Sequence, residues 1–124
     1  MTPDQIDLSR AAMALPGAPK PPKLPPYSRP IEVHMGASTR RDSAGILWVD
    51  VAAKDSANYD WLPDITDAAT GGVLVAMLGA NRARVVLELD CYEAHPFNER
   101  IRCKSLAEAA CRIALVVGRW AGAS

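Results

Sequence analysis

The chain has 124 residues, of which 49% are hydrophobic and 23% are charged. These proportions are typical of a single globular domain with its own core, and they exclude a fully disordered chain. Fourteen basic and fourteen acidic side chains give a net charge of zero, which excludes a global attraction to nucleic acid or to an anionic membrane.

The first 15 residues predict a helix, because Thr2 and Gln5 are spaced as a capping box and Pro3 stands at the first helical position. Seven of the ten prolines then fall between residues 16 and 30, in PGAPKPPKLPPYSRP. Proline fixes φ and has no N–H, so this segment is predicted to be an extended arm. We expect the arm to lie against a second copy of the chain in a symmetric dimer, the alternative being its own domain.

Residues 31–124 are predicted to form one α+β domain. Alternating apolar residues predict strands at 31–35, 85–92 and 100–104, with Leu87 in the core, and a more uniformly apolar run predicts a more central strand at 46–51. One helix is predicted at 66–78, capped by Thr66 or Asp64, and another at 106–120, started by a capping box of Ser105 and Glu108 and burying Ile113. The order α-β-β-α-β-β-α predicts two hairpins joined in one mainly antiparallel four-stranded sheet packed with helices.

The segment 62–78, LPDITDAATGGVLVAML, resembles a group of uncharacterised small proteins encoded by phages and prophages, whose shared segment reads approximately LPDLTDPATLGCLLALVREAWG. The identical positions are Leu62, Pro63, Asp64, Thr66, Asp67, Ala69, Thr70, Gly72, Leu74 and Ala76, and the departures include Ala68, Gly71 and Val73. The resemblance implies a viral origin and a small α+β fold, and it carries no catalytic residue. Within the segment, Gly72 is expected to let another backbone approach closely.

The cysteines and the N-terminus predict a cytoplasmic protein, which the resemblance places in a bacterial host cell. Asp4 and Asp7 stand where a signal peptide would be basic, and no apolar run approaches the roughly 20 residues that span a bilayer. Cys91, Cys103 and Cys111 are an odd number, which favours reduced thiols. We therefore expect no membrane partner.

Two sets of residues have the chemistry of metal ligands. Cys91, His95, Cys103 and Cys111 are zinc-binding residue types, but their spacing fits no familiar zinc motif, and we expect core thiols and no cofactor. A cluster of carboxylates is expected to be a solvated acidic surface rather than a divalent-metal site; it contains Asp50, Asp55, Asp60, Asp64 and Asp67.

A hydroxyl nucleophile is conceivable at Ser38 or Thr39, because His34 is near in sequence and acyl transfer needs a hydroxyl beside a base. No strand-turn-helix elbow surrounds Ser38, and the chain has no P-loop or dinucleotide glycine motif. We therefore expect that the protein is not an enzyme.

Arginines are the candidate binding residues. Basic residues alternate along the last predicted strand and precede the third, and we expect cross-strand ion pairs from them to Glu88 and Asp90. The candidate set consists of Arg40, Arg41, Arg82, Arg84, Arg100 and Arg102. Because no run of aromatic residues accompanies it to stack bases, nucleic acid is not the expected partner.

The leading interpretation is a non-enzymatic phage or prophage accessory protein that binds a host or viral macromolecule, with a protein as the expected partner. One alternative is a binder of a small ligand, in which the arginines hold a nucleotide signal of a host defence system. Another is a minor component of the virion or of its assembly.

Overall fold

The computed structural model describes residues 1–22, 39–53, 59–79, 84–88, 91–96 and 98–121. In this part of the chain the helices are α1 (Pro3–Met13), α2 (Ala68–Leu78) and α3 (Leu106–Val117), and the strands are β1 (Thr39–Arg41), β2 (Leu47–Ala52), β3 (Tyr59–Pro63), β4 (Arg84–Glu88), β5 (Cys91–His95) and β6 (Ile101–Cys103). The strands form two antiparallel sheets, ordered β1-β2-β3 and β4-β5-β6. The α+β class is confirmed, and the single four-stranded sheet is wrong.

Helix α1 begins with the capping box that the sequence predicts. The Thr2 hydroxyl accepts the Gln5 N–H at 3.2 Å, and the Gln5 side-chain oxygen accepts the Thr2 N–H at 2.7 Å. The helix buries Ser9 and Ala12, and the Ser9 hydroxyl donates to the Pro63 carbonyl at 2.9 Å. This helix therefore packs into the same core as the rest of the chain.

The first sheet differs from the predicted hairpin. The strand predicted at 46–51 is confirmed as β2, but its predicted partner at 31–35 lies outside the described residues. Here β2 pairs with β1 on one side, with Arg41 opposite Leu47, and with β3 on the other. Apolar and polar residues do not alternate along the sequence of β3, because this short strand mixes aromatic, charged and aliphatic residues without a period of two.

Asp42 closes the tight connection between β1 and β2. One of its carboxylate oxygens accepts the Gly45 and Ile46 N–H groups at 2.9 Å each, and the other accepts Trp48 Nε1–H at 2.8 Å. Burial alone would raise the pKa of Asp42, but these hydrogen bonds outweigh it and lower the pKa. The connection is therefore held by one ionised side chain.

Helix α2 starts later than predicted, at Ala68, and Asp67 caps it instead of Asp64 or Thr66. The Asp67 carboxylate accepts the Thr70 N–H at 3.0 Å and binds the Arg41 guanidinium at 2.9 and 3.2 Å. The hydrogen bond from Arg41 is the main cause that lowers the pKa of Asp67 to about 2. Asp64 instead accepts the Thr66 N–H in a turn that joins β3 to the helix.

The second sheet divides the long strand predicted at 85–92. Glu88 pairs with Cys91, so β4 and β5 form a hairpin, and β6 adds the strand predicted near residue 101. Leu87, expected in the core, is 66% exposed, which corrects that prediction. Its strand lies at the edge of the three-stranded sheet, whereas Ala94 in the central strand is fully buried.

Helix α3 is the centre of the core. Ser105 caps it by accepting the Glu108 N–H at 3.1 Å, and the Glu108 carboxylate accepts the N–H of Lys104 rather than that of Ser105. Ile113 is fully buried, as the sequence predicts, and the helix packs against α1, α2, β5 and β6. No helix in the described part of the chain is long and apolar enough to cross a bilayer.

Two adjacent glycines of α2 have opposite surroundings. A Cβ on Gly71 would lie 2.9 Å from the Leu106 Cβ and 3.0 Å from the Ala107 backbone nitrogen, whereas a Cβ on Gly72 would meet nothing within 4 Å. The close helix-helix approach is therefore at Gly71, which corrects the expectation for Gly72.

We expect the alanine variants of these glycines to change stability in opposite directions. Gly71→Ala forces two backbones apart and is expected to destabilise the protein by about 1 to 3 kcal/mol. Gly72→Ala, at an exposed helical position, is expected to stabilise it by roughly 0.5 to 1 kcal/mol. Urea unfolding of both variants measures the difference, and a destabilising Gly72→Ala together with a neutral Gly71→Ala would contradict the packing.

Candidate binding face

The outer face of the second sheet is the face that α3 does not cover. Tyr92, Ala94 and Cys103 share the inner face, where Ala94 and Cys103 are buried against the helix layer. Side chains alternate along a strand, so Glu93 and His95 of β5 occupy the opposite face. Arg102 of β6 pairs directly with Glu93, and together with Arg100 these residues define what we call the basic face.

Glu93 is the anchor of the basic face. The Arg100 guanidinium binds its carboxylate through two nitrogens, one of them Nε at 3.1 Å from Oε2. His95 Nε2 lies 3.4 Å from Oε2, and Arg102 Nε lies 3.9 Å from Oε1. One carboxylate therefore lies within ion-pair distance of three basic side chains.

The exposure of these side chains is strongly unequal. The Glu93 side chain is 4% exposed, whereas those of Arg100 and Arg102 are 62% and 73% exposed. A buried carboxylate without a cationic partner is energetically costly. The ion pair between Glu93 and Arg100 is therefore maintained, and it fixes the position of the Arg100 guanidinium. Among the described side chains of the basic face, two exposed guanidinium groups, of Arg100 and Arg102, lie beside the single carboxylate of Glu93.

The structure separates the arginines of the candidate set. It brings Arg100 and Arg102 together on Glu93, and the backbone of Arg84 pairs with that of His95 in the same sheet. Arg41 belongs to the other sheet and is bound to Asp67, next to the exposed Arg40. Arg82 lies outside the described residues, as do the side chains of Arg84, Glu88 and Asp90.

Sequence reasoning missed Glu93 as the partner of the arginines. The sequence predicts residues 93–98 as a connection between strands, whereas β5 continues to His95. The available signal was the pair Glu93 and His95 with a small residue between them, which continues the alternation of the strand for one more step.

The aspartates of the acidic cluster have separate structural roles. Asp60 lies 3.4 Å from the Arg10 guanidinium, Asp64 forms its turn and Asp67 caps α2, while Asp55 lies outside the described residues. Asp50 has one buried carboxylate oxygen without a hydrogen-bond partner. Across the described ranges, no three His, Cys, Asp or Glu side chains are grouped as ligands for a metal ion.

The thiols differ in their surroundings. Cys103 and Cys111 are buried and Cys91 is partly exposed. Burial raises the pKa of Cys103 to about 11 and that of Cys111 to about 12, with the Glu108 carboxylate as the second cause. A thiol with so high a pKa carries almost no thiolate at neutral pH.

We expect a thiol reagent to modify Cys91 alone in the native protein at neutral pH, because the reactive thiolate is suppressed at Cys103 and Cys111. All three cysteines should react once the protein is unfolded in urea. Mass spectrometry of the labelled protein counts the modified sites. A Cys91→Ser variant is the control and should take up no label in its native state; fast labelling of Cys111 would contradict its burial.

The described residues do not test the hydroxyl nucleophile considered at Ser38 or Thr39 beside His34. Thr39 is exposed at the start of β1, and His34 and Ser38 lie outside the described part of the chain.

In comparisons with known proteins, the chain matches no protein-family model, no curated protein and no solved structure.

Proposed function

We propose that this chain is a non-enzymatic phage or prophage accessory protein that binds an acidic segment of a host or viral protein on its basic face. The observation that carries the proposal is the buried Glu93 carboxylate, which fixes Arg100 while both guanidinium groups remain exposed. The resemblance of residues 62–78 to phage-encoded proteins supports the viral origin and, with it, action in the cytoplasm of a bacterial host.

The basic face has donors to offer a partner. A guanidinium group has five N–H donors, and Arg100 uses two of its nitrogens on Glu93. The N–H donors of the more exposed Arg102 suit a carboxylate, which binds a guanidinium through both of its oxygens. Because Glu93 orders Arg100 before binding, less side-chain entropy is lost when the partner arrives.

The composition of the basic face favours a protein over a nucleic acid. Between the charged residues, the described outer positions are Val86 and Cys91, both partly exposed, and Tyr92 belongs to the inner face. Stacking of bases on aromatic rings supplies much of the affinity for single strands, and the described residues of this face include no Phe, Tyr or Trp ring to provide it. Small apolar side chains between cations instead suit an acidic peptide with apolar residues between its carboxylates.

The test uses a labelled oligoglutamate peptide as the acidic probe and measures binding by fluorescence anisotropy. We expect binding that weakens between about 0.05 M and about 0.3 M salt, because the charges are exposed to screening. Arg102→Ala should weaken it about tenfold, which is the loss of one charge-assisted hydrogen bond. Arg119→Ala, a change of an exposed arginine beyond the end of α3, is the matched control and should have no effect.

The outcome can contradict the proposal in two ways. Equal weakening by Arg102→Ala and Arg119→Ala would show a nonspecific charge effect. Tight binding of a cyclic or linear nucleotide in calorimetry, lost in Arg102→Ala, would favour the alternative in which Arg100 and Arg102 hold the phosphates of a nucleotide signal.

A further inference from the structure

A cleft of about 610 Å³ lies on the first sheet, away from the basic face. Its walls are the C-terminal end of α1, the segment of residues 14–21 that follows it, and two tryptophans, Trp48 of β2 and Trp61 of β3. This volume lies within the range of ligand pockets; the lining residues are mostly apolar in type, while polar atoms make up the larger part of the exposed lining surface. Among the described residues of the lining, Lys20 is the one with a charge.

The two tryptophans play different parts in the cleft. Trp48 is fully buried, and its Nε1–H donates to Asp42 at 2.8 Å, so its ring is fixed. Trp61 is partly exposed, and no hydrogen bond of its indole N–H occurs among the described residues. Trp61 therefore offers both an apolar ring and a donor to an occupant of the cleft.

The wall formed by the segment after α1 is preformed. The Pro16 carbonyl accepts the backbone N–H of Trp120 at 2.9 Å, and the indole of Trp120 donates to the Ala12 carbonyl at 3.0 Å. Pro16, Pro19 and Pro21 hold φ at fixed values in this wall. A preformed cleft loses little entropy when a stiff ligand enters it.

The chemistry of the lining fits a polyproline II peptide. Such a peptide has no N–H on its prolines and leaves its backbone carbonyls free, so it needs a donor together with flat apolar surfaces. Grooves that recognise proline-rich segments provide both through aromatic rings. Trp61 supplies the ring and the donor, and the Met13 and Leu15 side chains supply further apolar surface.

We propose that this cleft binds a proline-rich segment, and that its occupant is the sequence KLPPYSRP, residues 23–30, of a second copy of this chain. The chain itself contains a matching ligand, with Leu24 and Tyr27 on either side of Pro25 and Pro26. Each copy holds one cleft and one such segment, so reciprocal exchange gives a closed two-fold dimer. This inference is independent of the basic face.

The first experiment separates binding to the cleft from association of the chain. Residues 24–27 are replaced in the full-length protein by a glycine-serine sequence of equal length, and a synthetic KLPPYSRP peptide is added. Truncation from the N-terminus is unsuitable, because α1 buries Ala12 in the core. We expect the peptide to bind, and a KLAAYSRP peptide to bind at least tenfold more weakly, since alanine restores backbone freedom and removes the ring contacts.

The chain has three tryptophans, so nuclear magnetic resonance shows three indole N–H signals, and Trp61→Phe identifies the signal of Trp61. We expect the peptide to shift this signal and to leave those of Trp48 and Trp120 in place, because both N–H groups already have acceptors. Trp61→Phe keeps a ring without the donor and should bind about two- to tenfold more weakly. A peptide that shifts none of the three signals overturns the proposal.

The second experiment measures the oligomeric state by light scattering at high micromolar concentration. We expect the natural chain to be a dimer, and both the glycine-serine variant and Trp61→Ala to be monomers with an unchanged circular dichroism spectrum. If Trp61→Ala does not fold, Trp61→Phe replaces it and should raise the dimer dissociation constant. A natural chain that is monomeric while the peptide still binds assigns the cleft to its own arm or to another protein, and this also overturns the proposal.

Discussion

Replacement of Trp120 by alanine is expected to lower the free energy of unfolding by about 3 to 5 kcal/mol, the largest single effect that we expect in this chain. Trp120 is fully buried just beyond α3. Its indole N–H donates to the Ala12 carbonyl at 3.0 Å and its backbone N–H donates to the Pro16 carbonyl at 2.9 Å. Trp120 therefore joins the segment after α3 to the C-terminal end of α1, and loss of its side chain leaves a cavity and removes a buried hydrogen bond.

Two further variants separate these contributions. Trp120→Phe keeps much of the buried apolar surface but removes the donor, and should cost about 1 to 3 kcal/mol. Arg119→Ala, a change of the exposed neighbouring residue, should stay within about 0.5 kcal/mol of the natural chain. Urea unfolding followed by circular dichroism measures all three. A cost below about 1 kcal/mol for Trp120→Ala would show that the C-terminal segment contributes little to the core.

The features that sequence analysis predicted correctly depend on neighbours in the chain. The capping box of α1 lies within residues 2–5, and the serine cap of α3 lies three residues from the amide that it binds. The apolar run of β2, the alternation of β6 and the burial of Ile113 follow from local sequence patterns. Signals of this kind need no knowledge of what packs against the element.

The wrong predictions concern features that depend on residues distant in the sequence. Asp67 rather than Asp64 caps α2, and Arg41, 26 residues earlier, binds the carboxylate that does so. Gly71 rather than Gly72 meets Leu106 because of how α2 packs on α3, which no helical pattern reveals. The two residues between Glu88 and Cys91 are Leu and Asp, without the glycine or asparagine typical of short hairpins, so the sequence reads as one strand.

For the candidate site too, local patterns were predicted correctly and contacts with residues on another strand were not. Alternation placed Arg100 and Arg102 on one face, but it did not reveal Glu93 as their partner, and the pairs expected with Glu88 and Asp90 lie outside the described side chains. The partner of Arg100 and Arg102 depends on which strand lies beside β6. That strand is β5, because the chain turns back before Cys91 and the hairpin places β5 between β4 and β6. The register of a sheet is a property of two strands, so one strand cannot reveal it.

Replacement of Ile113 by alanine is expected to cost about 2 to 5 kcal/mol, and the same replacement at Leu87 about 0.5 kcal/mol or less. The two side chains contain the same number of carbons, so the comparison isolates burial: Ile113 is fully buried in α3, whereas Leu87 is 66% exposed on the edge strand β4. Urea unfolding at two protein concentrations is the measurement. The cost at Ile113 should not depend on concentration beyond the dependence of the natural chain. A large cost at Leu87 at both concentrations would contradict its exposure, and one that appears only at the higher concentration would place Leu87 in a contact between two copies of the chain.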